Sequence, residues 1–371
     1  MRIVQILTLL GVVLGAHGYL FHRLWFMIPS SPGRIVMLVA GITVVLFPIL
    51  SLSVGNYLPQ SLAAFMSRIG MSWIIVFLYL LLAVVLIDLV RVTHLLPIEK
   101  FFSGSWIGFL SLITVIAFCL GLGYLHYADK QRIELSLGIP KEGGRINTLK
   151  IVAISDLHLG YGIGREEFER WLPLINDEEA DVVLIVGDLV DSNTYPLFAR
   201  NFAESVRKIR AKQGVYAVLG NHEYIGNATK SALFLQSAGI TLLRDSVILI
   251  NDSFYLIGRD DRSNPGRKSI AELIAPTDKT KPLIMLDHQP LNLNDTEKNR
   301  IDLQLSGHTH NGQIWPFTWV IAKLFEHPYG YLKKGDSHIY VTSGLGIWGG
   351  KFRIGSQSEY VVIHLNFDGG R

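Results

Sequence analysis

Four apolar runs in the first third of this chain constrain its fold more than any other feature. They cover about residues 3 to 22, 35 to 54, 71 to 90 and 105 to 125. Each is close to the ~20 residues a helix needs to cross the hydrocarbon core of a bilayer. Lipid offers backbone amides and carbonyls no partners, so a spanning run of this kind must be helical. Charge is correspondingly scarce there. Residues 1–128 carry six basic side chains (Arg2, Arg23, Arg34, Arg68, Arg91, Lys100) and two acidic ones (Asp88, Glu99). Of 34 basic and 31 acidic residues in the whole chain, 28 and 29 therefore remain for 129–371. Runs this poor in charge read as membrane spans, not as the buried helices of a soluble core. The mean hydropathy of +0.33 follows from them.

The first run, with Arg2 ahead of it and Ala16-His17-Gly18 within it, imitates a secretory signal. Three more spans follow, so it reads as a retained helix. Asp88 is expected to pair with Arg91 at an interface, and His17, His22, His94 and His126 lie near span ends as interfacial residues. Four spans place both ends of the region on one side of the membrane. Arg2, Arg68, Lys130, Arg132, Lys141 and Arg145 fall on that side, against Arg23, Arg34, Arg91 and Lys100 on the other. The excess favours a multi-pass protein of the cell membrane with a cytoplasmic second domain.

From about residue 129 the pattern changes. The expected organisation is a four-span region over 1–128, a linker and first strand over 129–148, and a catalytic domain over 149–371. The nearly neutral second part gives no support for a nucleic-acid surface. The lone cysteine, Cys119, lies in an apolar run, which excludes an internal disulfide and any thiolate ligand in the second part. Short runs rich in Val, Ile and Leu recur there, as strands covered on both faces require. TLKIVAIS leads into DLHLG, DVVLIVG into DLVD, GVYAVLG into NHEY, PLIMLD into HQP, and IDLQLSG into HTH. Residues 165–177 and 198–213 are helix candidates between them. SLGIPKEGGRINT (136–148) reads as a turn or linker, and RSNPGRKS (262–269) as a surface loop. Polar residues thus collect at strand ends, where open α/β sheets build their sites.

Those strand ends offer Asp156 and His158, Asp188, Asn221 with His222, His288, and His308 with His310. Singly, each has a plain alternative: a capped turn, a helix N-cap, a satisfied core histidine. Together, in this order, they form a carboxylate, imidazole and amide set that suits Mn, Fe or Zn better than the oxygen-loving Mg and Ca. There are enough groups for two ions sharing one bridging carboxylate. Two divalent ions side by side can neutralise anionic oxygens and acidify a water held between them near neutral pH.

The motifs SDLHLG, VGDLVD, LGNHEY, LDHQP and SGHTHNGQ resemble those of the calcineurin-like metallophosphoesterases over about residues 145–365. The ending LSGHTHNGQ and the stretch SGLGIWGGKFRIGSQSE resemble a membrane-associated branch that includes bacterial phosphodiesterases and UDP-2,3-diacylglucosamine pyrophosphatase-like enzymes. That branch carries Pro-Pro-Glu where this chain has Gln357-Ser358-Glu359, a departure expected at the site's rim. The resemblance implies a four-layer αββα sandwich preceded by four transmembrane helices. It implies that Asp156, His158 and His310 hold one divalent ion, that Asn221, His288 and His308 hold the other, and that Asp188 bridges them. His222 would assist leaving-group departure, Glu223 would orient His222 from behind, and Arg353 would meet the substrate, with a surface salt bridge as its alternative. The expected activity is hydrolysis of a phosphodiester or pyrophosphate, with membrane lipids as surroundings and a phosphorylated lipid or nucleotide-glycolipid as substrate. A non-catalytic scaffold of the same fold, or a membrane sensor, is the alternative; scarce intramembrane charge weighs against transport.

Overall fold

A computed structural model describes residues 2–367 and 369. The last two residues of the expected catalytic domain, Asp368 and the side chain of Arg2 lie outside the described residues. The chain divides into two compact units, Met1–Tyr124 and Leu125–Arg371.

The apolar runs are helices: α1 (Arg2–Met27), α2 (Ser31–Val54), α3 (Gln60–Thr93) and α4 (Trp106–Ala128). All four contain stretches long and apolar enough to cross a membrane. Ser30 caps α2 by accepting a hydrogen bond from the Gly33 amide, and Pro32 in the first turn needs no partner for a missing N–H. α3 has 34 residues and starts well before the expected residue 71. Gln60 to Gly70 continue it because nothing there breaks a helix, and the helix stops where His94 turns left-handed. Many large apolar side chains of these helices, among them Leu52 and Leu86, face outward, as a lipid solvent allows. Asp88 does pair with Arg91 (3.2 Å), but it also accepts from the Tyr19 hydroxyl (2.6 Å) and pairs with Arg23. It therefore ties α1 to α3. His17 likewise links two helices, its ring stacked on that of Phe77 with centroids 3.8 Å apart.

The second unit holds twelve described strands: β1 (Lys130–Ile139), β2 (Thr148–Ile154), β3 (Val182–Val186), β4 (Val215–Val218), β5 (Thr241–Leu242), β6 (Ser246–Ile250), β7 (Phe254–Gly258), β8 (Leu283–Leu286), β9 (Leu303–Ser306), β10 (Gly330–Lys334), β11 (Ser337–Val341) and β12 (Ser358–Phe367). They form two six-stranded sheets, in the orders β1-β12-β2-β3-β4-β5 and β10-β11-β9-β8-β7-β6. β2, β3 and β4 run parallel, as do β7, β8, β9 and β11. The inner faces share one core in which Ile151, Leu184 and Val218 of the first sheet meet Leu256, Ile284 and Leu305 of the second. The outer face of the first sheet buries Val152, Ile185 and Val362 under helical segments carrying Phe168, Trp171 and Phe234. The outer face of the second packs Ile257 and Met285 against Leu273 and Ile274. This is the expected αββα sandwich. With both faces covered, strands such as the fully buried VVLIV of β3 need no alternation.

The helix candidates are shorter than expected. The 165–177 run breaks into Arg165–Glu169 and Leu172–Asn176, because Pro173 cannot supply the amide a continuous helix needs. The 198–213 run becomes Tyr195–Ala199 and Ala203–Val206, divided where Asn201 turns left-handed (φ 48°). Residues 136–139 belong to β1, held by its parallel pairing with β12, and are not part of a turn.

Candidate metal centre

Five strand-to-loop junctions carry the site. Asp156 and His158 follow β2, Asp188 follows β3, Asn221 and His222 follow β4, His288 follows β8, and His308 and His310 follow β9. Registers such as Ile154↔Ile185 and Val186↔Val218 bring the carboxyl ends of β2, β3 and β4 level with one another. The loops turn sharply there. Asp156, His158, Asp188, His308 and His310 all have φ between 45° and 71°. Left-handed backbone at a non-glycine residue costs on the order of 1–3 kcal/mol, and it persists where surrounding structure holds it. Neighbouring glycines make room. A Cβ on Gly307 would lie 2.4 Å from Asp156 Oδ2, and one on Gly220 would lie 2.2 Å from Asp188 Oδ1.

The polar atoms fall into two groups. In the first, His158 Nε2 and His310 Nε2 are 3.2 Å apart, and His310 Nε2 is 3.5 Å from Asp156 Oδ1. In the second, His288 Nε2 is 3.1 Å from Asp188 Oδ2, and His308 Nδ1 is 2.7 Å from Asn221 Oδ1. Asp188 stands between them, because its Oδ2 is also 3.8 Å from His158 Nε2. Asp156, His158, Asp188 and His288 are buried. The His308 amide donates to Asp156, and the His222 amide donates to Asp188 (2.9 Å).

This donor set fits divalent cations. His158 Nδ1 and His310 Nδ1 are buried with no hydrogen-bond partner, while the Nε2 atoms of the same two rings converge beside Asp156 Oδ1. Unsatisfied polar atoms in a dry interior are costly, and convergent lone pairs of nitrogen and carboxylate oxygen are what a cation satisfies. Burial pushes the imidazoles of His158 (to about 3), His308 and His310 down, so they are neutral, as a ligand must be. Asp188 and His288 act on each other. Burial disfavours both charges, but the facing imidazoles hold the Asp188 carboxyl well below the usual carboxylate range, and Asp188 holds His288 well above its ordinary value.

His222 borders the first group, its ring 4.5 Å from that of His158 in an edge-on arrangement. Its Nδ1 lies 3.2 Å from Asp191 Oδ1 and 3.3 Å from Ser192 Oγ. Burial opposes its charge, yet the Asp191 hydrogen bond and the Asp188 carboxylate together raise its pKa. Asp191 was missed in the sequence. It is the final residue of VGDLVD, where it looks like a second turn aspartate.

Three expectations are corrected. Glu223 does not orient His222. Its buried carboxylate accepts the amides of Gly220 (2.7 Å), Val190 (2.8 Å) and Asp188 (3.1 Å), so it ties the β4 loop to the β3 loop. Burial and the Asp188 charge push its pKa up. Arg353 does not face substrate. It is fully buried and donates to the carbonyls of His310 (2.8 Å), Ser343 (2.6 Å), Gly344 (3.2 Å) and Gly346 (2.9 Å). Glu359, expected at the rim, is also buried and accepts from Tyr329 (2.7 Å), Tyr340 (3.0 Å) and Thr342 (2.9 Å).

Comparison with known proteins places this arrangement. Residues 149–312 match the family described as calcineurin-like phosphoesterase. An uncharacterized metallophosphoesterase of Helicobacter pylori is 33% identical over 223 residues, 58% of this chain and 60% of that protein. A transmembrane protein with metallophosphoesterase domain from Danio rerio is 32% identical over 286 residues, 72% of this chain and 64% of that one. An uncharacterized metallophosphoesterase of Aquifex aeolicus is 31% identical over 228 residues, 60% of this chain and 86% of that protein. The chain thus spans about three fifths of the length of the first two relatives.

Proposed function

The chain belongs to the calcineurin-like phosphoesterase family, and from that premise we propose that it is a membrane-anchored, dinuclear metal-dependent phosphoesterase. It hydrolyses a phosphodiester or pyrophosphate bond in a lipid-linked or nucleotide-glycolipid substrate. Its spans lie in the cell membrane, with the catalytic unit on the cytoplasmic side. The observation that carries the reading is the position of Asp188, whose Oδ2 lies 3.1 Å from His288 Nε2 and 3.8 Å from His158 Nε2. A carboxylate between two donor groups is the arrangement a bridged pair of ions needs.

Asp156, His158 and His310 would hold one ion, and Asn221, His288 and His308 the other, with manganese the proposed metal and iron or zinc the rivals. Two divalent ions supply Lewis acidity toward phosphoryl oxygens and lower the pKa of water. The chain's own residues do the rest. Asp191 engages Nδ1 of His222, which leaves Nε2 as the atom that passes a proton to the leaving oxygen. Its raised pKa keeps that proton available near neutrality. Glu223 and Arg353 hold the loops that aim the ligands. A lipid-linked substrate explains the anchor, since enzyme and substrate then share one surface.

The test is hydrolysis of bis-p-nitrophenyl phosphate with added manganese, repeated with Asp188→Asn. Metal-dependent turnover that survives the substitution unchanged would refute the assignment. The substrate would be named by the phosphorylated lipid or nucleotide-glycolipid that accumulates in cells lacking the protein.

A further inference from the structure

We propose that the segment Trp315–Leu324 is a membrane-interfacial lip, which inserts into the headgroup layer of a bilayer and sets the metal centre against the lipid surface. The inference deepens the proposed function and rests on its lipid-linked reading for the purpose of the lip.

The helix Phe317–Leu324 has no buried residue. Trp319 is 64% exposed and Leu324 68%, with Phe317, Val320 and Trp315 exposed beside them. Elsewhere in this unit the large apolar side chains are mostly sheathed in the sandwich. From Gln313 to Phe325 the one charged residue is Lys323, and there is no acidic residue. Two tryptophans, several aliphatic side chains and a lysine on a short exposed helix are the chemistry of the membrane interface, where indole rings sit at headgroup level and lysine meets lipid phosphate. The same chain carries four helices fit to span a bilayer, and Asp129 alone separates α4 from β1. A bilayer is therefore the apolar partner always within the chain's own tether, which favours lipid over a second protein.

The lip is built onto the site. Ile354 donates to the Gln313 carbonyl (3.1 Å), and Trp315 donates to the Ile354 carbonyl (2.8 Å), fastening the segment three residues after His310. Gly312 lets it close in, since a Cβ there would lie 2.5 Å from Thr318 Cα. At its far end the Phe325 ring is 6.0 Å from that of His308. The exposed Trp348 ring is 6.0 Å from that of His222. Apolar groups thus flank both donor groups. A lipid phosphate at headgroup depth reaches His222 while its acyl chains stay in the membrane.

The test uses the full chain in lipid nanodiscs of phosphatidylcholine and phosphatidylglycerol, with Cys119→Ala as background. Trp319→Cys, Leu324→Cys and, as a reference on the exposed polar surface, Lys298→Cys each receive a polarity-sensitive fluorophore. Labels at the first two positions are expected to shift to the blue, to lose about half their emission or more to lipids spin-labelled in the acyl chain, and to resist iodide. The label at the third should do the reverse. Iodide quenching at positions 319 and 324 equal to that at 298 overturns the proposal. So does shielding from both quenchers, which would mean a protein cover such as a second copy. The readout needs no turnover. Lipid contact without hydrolysis leaves the lip and removes the enzyme, whereas hydrolysis with the labels in water does the opposite.

Discussion

Asp191 Oδ1 lies 3.2 Å from Nδ1 of His222, three positions along the chain from Asp188, so one loop both supplies the central carboxylate of the site and engages the imidazole of His222 beside it. A carboxylate behind an imidazole fixes the tautomer and stabilises the charged ring.

Asp191→Asn should therefore lower the pKa of His222, whose elevation depends on that partner. A general acid works while protonated, so activity falls as pH rises through its pKa. The alkaline limb of the rate profile should move to lower pH by about one unit, with turnover near neutrality down about tenfold or more. A profile that keeps its alkaline limb in place assigns the proton to another group.

Glu223→Gln separates the loop tie from an orienting role. The amide side chain keeps one acceptor oxygen, yet three backbone amides, those of Asp188, Val190 and Gly220, share the native carboxylate. A buried donor left unpaired costs about 1–3 kcal/mol. The variant should melt at lower temperature and bind metal more weakly, while the pH profile of the remaining activity keeps its shape. A shifted alkaline limb would restore the role first expected of Glu223.

Arg353→Met removes the donors that hold the carbonyls of His310, Ser343, Gly344 and Gly346. The expected loss is about 3–5 kcal/mol, the range for breaking a buried charged network. Chemical denaturation of the solubilised full chain measures it. If Arg353 instead met substrate, KM would rise at unchanged stability.

Cation binding should release protons. Asp188 holds His288 charged well above its ordinary pKa, and a charged imidazole cannot ligate. Affinity should thus rise with pH and fall as pH drops, with about one proton released from His288 when the ion held by Asn221, His288 and His308 binds at neutral pH. Calorimetric titration in buffers of different ionisation enthalpy gives that number. Binding that is indifferent to pH would remove His288 from the ligand set.

Much of this protein is legible in its sequence because the signals are local. Length and apolarity mark the four helices, and runs such as VVLIV mark strands covered on both faces. The motifs name Asp156, His158, Asp188, Asn221, His288, His308 and His310 because a ligand needs a lone pair, and lone pairs are a property of residue type. Partnership is not. Which atom Glu223, Arg353 or Asp191 meets depends on how loops far apart in the chain close on one another. Arg353 reaches a carbonyl 43 residues away at His310, and Glu223 reaches amides 33 and 35 residues away. A buried carboxylate or guanidinium is placed by the cost of leaving loop amides and carbonyls unpaired, and that cost is set only when the two sheets have packed. The sequence determined what chemistry the loops carry, and the tertiary structure decided which charges touch that chemistry and which hold the scaffold beneath it.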